Sequence, residues 1–301
     1  MDKPLVTVSI FTYNSARTVI ETLDSIYIQT YPNIELIISD DCSLDETVAI
    51  CRQWINEHNS RFSACKVLEA AKNTGITANC NRAIADAKGK YLKLLAGDDL
   101  LEQDAISEYV QYMIDNPQAI YAFSRVTVFG NNQSKINFFT NTIFDYSFFS
   151  LTKNEQYKWL IGKWFQPIPA ASAFVNILNA KNAGVFYYDE RIPMLEDWPK
   201  WIALSQKGID FHFVDKPLAR YRVTENSVCS GEKYNDAFIK SKALLYRYYQ
   251  FKPTIHLFGL RRAVFLYINN MAISTNHRTT LNIVSSFFLN ARDKIRDIFF
   301  R

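Results

Sequence analysis

The sequence predicts an α/β fold, a mostly parallel sheet flanked by helices and followed by a helical C-terminal region. Two observations carry this expectation. Apolar, strand-like runs alternate with helix-period segments through the first hundred residues, and strands separated by helix-length segments pair in parallel through right-handed crossovers. The chain can also cover such a sheet on both faces, since 48% of its 301 residues are hydrophobic and no repeat or low-complexity tract interrupts them.

Strands are expected at 5–11, 34–39, 65–69 and 91–95, with helices over 16–29, 46–58 and 77–87 between them. Ser15, Asp45 and Thr77 suit the N-caps of these helices. A helix near 102–114 and a strand near 119–128 continue the pattern, and a helix over 198–207 tolerates Pro199 in its first turn. Residues 131–168 are rich in aromatics (Phe138, Phe139, Phe144, Tyr146, Phe148, Phe149, Trp159, Trp164, Phe165) and are expected to form an irregular cover over the site.

Ligands of such folds bind beyond the C-terminal strand ends. Those ends read Thr12-Tyr13-Asn14, Asp40-Asp41-Cys42-Ser43 and Gly97-Asp98-Asp99. Asp98 and Asp99 suit a hard divalent cation whose shell a bound diphosphate completes, and they equally suit a helix cap with a first-turn acid. Asp41 can accept a hydrogen bond from the imide N–H of uracil or thymine, and Tyr13 can stack on that base; capping is again the alternative. Glu196 and Asp197 open a helix, where acids are either dipole partners or, in the chemical reading, a general base. Arg220 and Arg222 alternate along a strand-like run and serve phosphate or a solvated edge equally well. The chain has no G-x-G-x-x-G after its first strand, no P-loop and no G-x-S-x-G, which argues against dinucleotide oxidoreductases, P-loop enzymes and α/β-hydrolases. Four scattered histidines and five cysteines without a C-x-x-C pair argue against a zinc site and for reduced thiols.

Taken in order, the runs from Val6 to Asn14 and from Ile37 to Thr47, then Asn73-Thr74-Gly75, Gly97-Asp98-Asp99 and Glu196-Asp197, resemble family 2 glycosyltransferases of the GT-A fold over roughly residues 4–230. The resemblance implies inverting transfer from an NDP-sugar, most often a UDP-sugar, with Mn²⁺ or Mg²⁺. It places Tyr13 and Asp41 on the base, with Thr12 and Asn14 beside them, and Asn79 and Arg82 beside the ribose and diphosphate. Asp98 and Asp99 become the DXD-like element, with Asp99 nearer the metal. Asp197 becomes the general base, with Glu196 as the lesser candidate. Cys42 stands where glycine is usual, Thr224 where many relatives have histidine and Ala203 where arginine is common, so the phosphate contacts depart from the family pattern. The absence of spanning helices and of Gln-x-x-Arg-Trp implies one sugar per encounter. Residues 1–230 form the expected GT-A domain and 231–301 a helical, basic appendage. Relatives of this kind extend glycans on polyprenyl-diphosphate lipids, which implies a glycan or lipid-linked saccharide acceptor and a role in surface polysaccharide such as O-antigen or capsule. A sugar nucleotidyltransferase and a catalytically silent glycan- or lipid-binding protein are the alternatives.

Residues 254–301 carry a net charge of +5, leaving −1 for the rest. Within them Val284, Phe287, Phe288, Ala291, Ile295, Ile298 and Phe299 follow helical spacing, with Arg292, Lys294, Arg296 and Arg301 around the wheel. This basic amphipathic pattern suits an anionic inner-leaflet surface rather than nucleic acid, or packing on the body. No apolar stretch reaches the ~18–20 residues that span a bilayer, and no charged leader with an apolar core precedes the first strand. A cytoplasmic, peripheral protein is therefore expected.

Overall fold

A computed structural model describes residues 3–163, 166–224 and 236–274. Its strands are β1 (Val6–Thr12), β2 (Ile34–Asp40), β3 (Ala64–Glu69), β4 (Tyr91–Ala96), β5 (Leu100–Leu101), β6 (Tyr121–Gly130), β7 (Phe174–Asn176) and β8 (Phe211–Val223). They form one eight-stranded sheet in the order β3-β2-β1-β4-β7-β6-β8-β5. Parallel pairs join β1 to β2 and β4, β2 to β3, and β6 to β8. The short strands β7 and β5 pair antiparallel with their neighbours.

Helices α1 (Val19–Tyr27), α2 (Thr47–His58), α3 (Ile76–Asp86) and α4 (Ala105–Asp115) connect the first strands. With helices on both faces, the central strands have no solvated side, so β2 is buried at every position. One apolar cluster gathers Val8, Ile10, Leu23, Ile26, Trp54 and Tyr109 under α1, α2 and α4. A second gathers Leu92, Leu94, Phe123, Phe148 and Trp201 on the opposite face. Phe174 of β7 stacks on Tyr109 at 4.9 Å between ring centroids and lies 5.5 Å from Tyr91. Lys93, in mid-β4, is fully buried and donates to the carbonyls of Ala171 and Ala173. Burial pushes its pKa down to about 7.

Several boundaries move from expectation. Helix α1 starts at Val19, and Ser15 supports it through its carbonyl, which accepts from the Thr18 and Val19 N–H groups. Thr77 lies inside α3, and its hydroxyl donates to the Ile192 carbonyl at 2.6 Å. Glu46, not Asp45, is the N-cap of α2; Asp45 stands one residue before it, and its carboxylate accepts the Thr47 N–H at 3.1 Å. Trp164 and Phe165 lie outside the described residues, and the described residues of 131–168 are largely helical rather than irregular. They contain α5 (Gln133–Phe138), a π-turn (Phe139–Ile143), a 3-10 turn (Tyr146–Ser150) and α6 (Lys153–Gly162), which Thr152 and Glu155 start with a capping box. Their aromatics seat on β8: Phe149 stacks on Phe213 at 4.3 Å, and Phe148 meets Phe211 edge-on at 5.3 Å.

Past α7 (Ile177–Asn182) and α8 (Asp197–Gln206), the described part of the C-terminal region forms α9 (Asp236–Leu245), a π-turn (Tyr246–Gln250) and α10 (Phe251–Ser274), which is kinked at Gly259 with φ 80°. It packs on the body. Phe238 and Leu245 join the second cluster, Gln250 donates to the Leu160 carbonyl at 3.2 Å, and Arg262 donates to that of Gly162 at 2.6 Å. The amphipathic pattern over 281–301 lies outside the described residues. Among the described residues no helix is long and apolar enough to cross a membrane. Phe174→Ala is expected to cost about 3–5 kcal/mol through loss of buried area and the cavity left behind, measured by chemical denaturation.

Candidate active site

The ends of β1, β2 and β4 lie side by side, and each turns sharply. Asn14 and Cys42 adopt φ 51° and 65°, the left-handed region that side chains disfavour. The two turns clasp each other, with the Asn14 N–H donating to Ser43 Oγ and the Leu44 N–H to Asn14 Oδ1, each at 2.8 Å. Gly97 lies so close to β1 that a Cβ there would meet Thr12 Cγ2 at 2.8 Å.

The carboxylates at the end of β2 divide their work. Asp40 accepts from the Thr12 hydroxyl at 2.8 Å and from the N–H and hydroxyl of Ser43 at 2.7 and 2.6 Å. Asp41 accepts from the Thr74 N–H and hydroxyl at 2.9 and 2.6 Å, the Gly75 N–H at 2.7 Å and Arg82 at 3.3 Å. It thereby ties the 73–75 loop to the sheet. Gly75 has φ 90°, and a Cβ on it would meet the Pro193 carbonyl at 2.8 Å, so this loop in turn carries the segment that leads to Glu196.

The resemblance gave nucleotide contacts to Thr12 and Asn79, and the structure directs both side chains into the protein instead. Asn79 is buried: its Nδ2 donates to the Thr12 carbonyl at 3.1 Å, and its Oδ1 accepts from Ser39 at 2.6 Å and Arg82 at 2.8 Å. Tyr13 by contrast is 46% exposed, with a free ring beside the turn.

Asp98 is half-buried and Asp99 buried. Asp99 accepts the Arg222 N–H at 2.9 Å, while the Arg222 side chain donates to the Asp98 carbonyl and to Glu21, both at 2.7 Å, and lies 4.4 Å over the Phe129 ring. Arg220 also sits over Phe129, at 4.7 Å. In this structure Arg222 holds the acidic turn rather than presenting itself to phosphate. Burial raises the pKa of both acids, and the charge of Asp98 raises Asp99 further. No group of three or more His, Cys, Asp or Glu able to hold a metal exists among the described residues. Two adjacent carboxylates that repel each other nonetheless fit a divalent cation whose remaining oxygens come from a ligand and water.

Glu196 and Asp197 stand at the start of α8. Burial pushes Asp197 up to about 6. Burial, with the charge of Asp197 added, pushes Glu196 to about 8. Asp197 Oδ1 accepts the Trp198 N–H at 2.6 Å, and Oδ2 accepts the Gln166 amide. Lys242 of α9 lies 4.3 Å over the Trp198 ring and lowers the Asp197 pKa. Gln166 and Lys242 carry no sequence signal, because neither belongs to a motif. Two other cations near this helix start, Lys200 and Arg191, face elsewhere: Lys200 donates to the carbonyls of Val185 and Tyr187, and Arg191 pairs with Asp189 at 2.6 Å. Cys80 of α3 feels the charges of Glu196, Asp197 and Asp41 together, so the helix start and the β2 end flank one helix.

Residues 7–166, more than half of the chain, match the family model described as glycosyl transferase family 2. The chain belongs to that family. Relatives bear out its status as a family 2 glycosyltransferase. It is 25% identical over 230 residues to the protein of Bacillus subtilis (strain 168) described as a teichuronic acid biosynthesis glycosyltransferase, TuaG, covering 76% of this chain and 83% of that one. It is 27% identical over 240 residues to the Escherichia coli UDP-Glc:alpha-D-GlcNAc-diphosphoundecaprenol beta-1,3-glucosyltransferase WfaP, covering 80% and 85%. Among solved structures, S. aureus TarS 1–349 in complex with UDP-GlcNAc aligns at TM-score 0.58 and 18% identity over 90% of this chain and 73% of that one. The mannosyltransferase PcManGT from Pyrobaculum calidifontis, in complex with GDP-Man and Mn²⁺, aligns at TM-score 0.56 and 18% identity over 98% and 81%. The fold is GT-A, and family membership sets aside the nucleotidyltransferase alternative.

Cys42 carries a side chain at φ 65°, where glycine is free of the steric penalty. Cys42→Gly is therefore expected to raise stability by up to about 1 kcal/mol, the relief exceeding the added unfolded-state entropy, measured by denaturant midpoint.

Proposed function

We propose that this glycosyltransferase inverts the anomeric centre of a UDP-sugar and adds one sugar per encounter to a glycan or polyprenyl-diphosphate-linked saccharide in surface-polysaccharide assembly. The observation that carries the reading is the separation of duties between two acidic pairs, Asp98–Asp99 at a strand end and Glu196–Asp197 at a helix start, each with one buried member, Asp99 and Asp197. Burial raises the pKa of both acids, and the charge of Asp197 raises Glu196 further. We assign the base to Asp197, whose two oxygens the Trp198 N–H and the Gln166 amide hold in place. It takes the proton of the acceptor hydroxyl as that oxygen bonds to the anomeric carbon, and the bond from that carbon to the diphosphate oxygen breaks on the opposite face, its electron pair leaving with the nucleotide.

Asp99 and Asp98 would hold Mn²⁺ or Mg²⁺, and such an ion, when bound, offsets the charge gathering on the leaving diphosphate. Tyr13 offers its exposed ring to the base. The longest of Asp41's contacts, that to Arg82 at 3.3 Å, is the one an imide N–H would share. Thr12, Asn14 and Asn79 fix the strand ends that carry these groups. Support for a lipid-linked acceptor comes from the name of WfaP. Support for an inner-leaflet, peripheral location comes from the basic residues of 254–301. We retain 1–230 as the catalytic unit and 231–301 as its appendage, the described helices of which pack on the body.

Thermal unfolding with UDP, TDP, GDP or CDP, each with and without Mn²⁺, tests the donor site, since a ligand bound only to the native state raises its stability. A UDP or TDP shift that requires Mn²⁺ and is lost in Asp99→Ala is expected; no metal-dependent shift with any nucleotide would favour a silent binding protein. For the base, activity should rise as pH passes upward through about 6, because the raised pKa of Asp197 leaves it protonated and inactive below. Asp197→Asn is expected to lower kcat by roughly 10²–10⁴-fold, read in an NDP-release assay.

A further inference from the structure

The amide of Gln166 meets Asp197 in a way the chemistry above leaves unused. Its Nε2–H donates to Asp197 Oδ2, while the Trp198 N–H holds Oδ1 at 2.6 Å. The carboxylate is thus gripped at one oxygen by backbone and at the other by a single side chain. The Gln166 carbonyl oxygen is buried and finds no donor among the described residues. Leaving such an oxygen unpaired costs roughly 1–3 kcal/mol. Turning the amide over would set an oxygen against a carboxylate, so the acid dictates the orientation.

We propose that Gln166 is a positioning residue: its N–H aims the Asp197 carboxylate and favours its ionised form, and its unpaired oxygen receives a second acceptor hydroxyl beside the one that reacts. The matching acceptor is a saccharide that presents a diol. This rests on the reading of Asp197 as the base. The groups that face Asp197 are Glu196 beside it, Lys242 from α9, Cys80 from α3 and Tyr188 from the preceding loop. Burial holds the Cys80 and Tyr188 pKa values far above neutral, so Glu196 and Asp197 are the acids of this set that titrate near neutrality.

The test uses full-length Gln166→Leu and Gln166→Glu with UDP-glucose, UDP-GlcNAc and Mn²⁺, following UDP release to water from pH 5 to 9. Loss of the N–H in Gln166→Leu should move the acid limb up by about one pH unit. Gln166→Glu, which sets a second carboxylate against Asp197, should move it further. A ¹³C titration of the Asp197 carboxyl reads the same displacement without turnover. Ethylene glycol should compete better than ethanol as a surrogate acceptor in wild type and lose that advantage in Gln166→Leu. An unmoved limb and titration in both variants, with the UDP thermal shift retained, would overturn the role of Gln166 alone. An acid limb that persists in Asp197→Asn would overturn the base reading and this inference together.

Discussion

Where three parallel strands stop side by side, their last carbonyl and N–H groups lose their ladder partners and must find others, since leaving them unpaired in a buried place costs free energy. Here the partners are few and shared. The Thr12 carbonyl takes both the Asp41 N–H at 3.0 Å and the Asn79 amide, and the Gly97 N–H returns to Phe11 at 3.0 Å. Asp40 and Asp41 then spend their carboxylates on the turns that follow. Each side chain of this network ties two strand ends or a strand end and a loop, so the loop that carries Gly75, and through it Pro193 and the start of α8, is placed by the same few bonds.

Burying four carboxylates around that network is an electrostatic expense that the protein offsets differently at each pair. The Asp98–Asp99 turn leans on Arg222, which supplies a backbone N–H, a guanidinium and stacking on Phe129 at once. The α8 start has Lys242 at a distance and neutral donors close by. One pair consequently faces a fixed positive charge, and the other sits in a more neutral setting in which burial raises the pKa of both members.

The parallel core and its strand ends were legible because apolar runs alternate with helical periods and the polar residues gather where the runs stop. Asp98 and Asp99 could be found that way, and Glu196 and Asp197 as acids that open a helix. The side-chain directions of Thr12, Asn79 and Arg222 could not, since spacing gives a neighbourhood but not the partner that captures a hydrogen bond. β5 and β7 are two and three residues long, too short to show a period. The helices of 131–168 take their form from Phe148 and Phe149 seating on Phe211 and Phe213, contacts more than 60 residues away in sequence that no local pattern announces. Gln166 stayed hidden for the same reason.

The pairing of β6 with β8 opens a further consequence. Ser124 faces Val214, but Val126 faces Ala219, so β8 takes on three extra residues across an irregularity that contains Pro217. Three is odd, and an odd insertion exchanges the two faces of everything beyond it. Arg222 meets the acidic turn only because of that parity. A one-residue deletion within 215–218 that carried the rest of the strand along would bring Val223 into its place and leave both acids without their clasp, whereas a two-residue deletion would keep the alternation of faces. The length of that bulge is therefore a restriction written in the backbone rather than in any side chain.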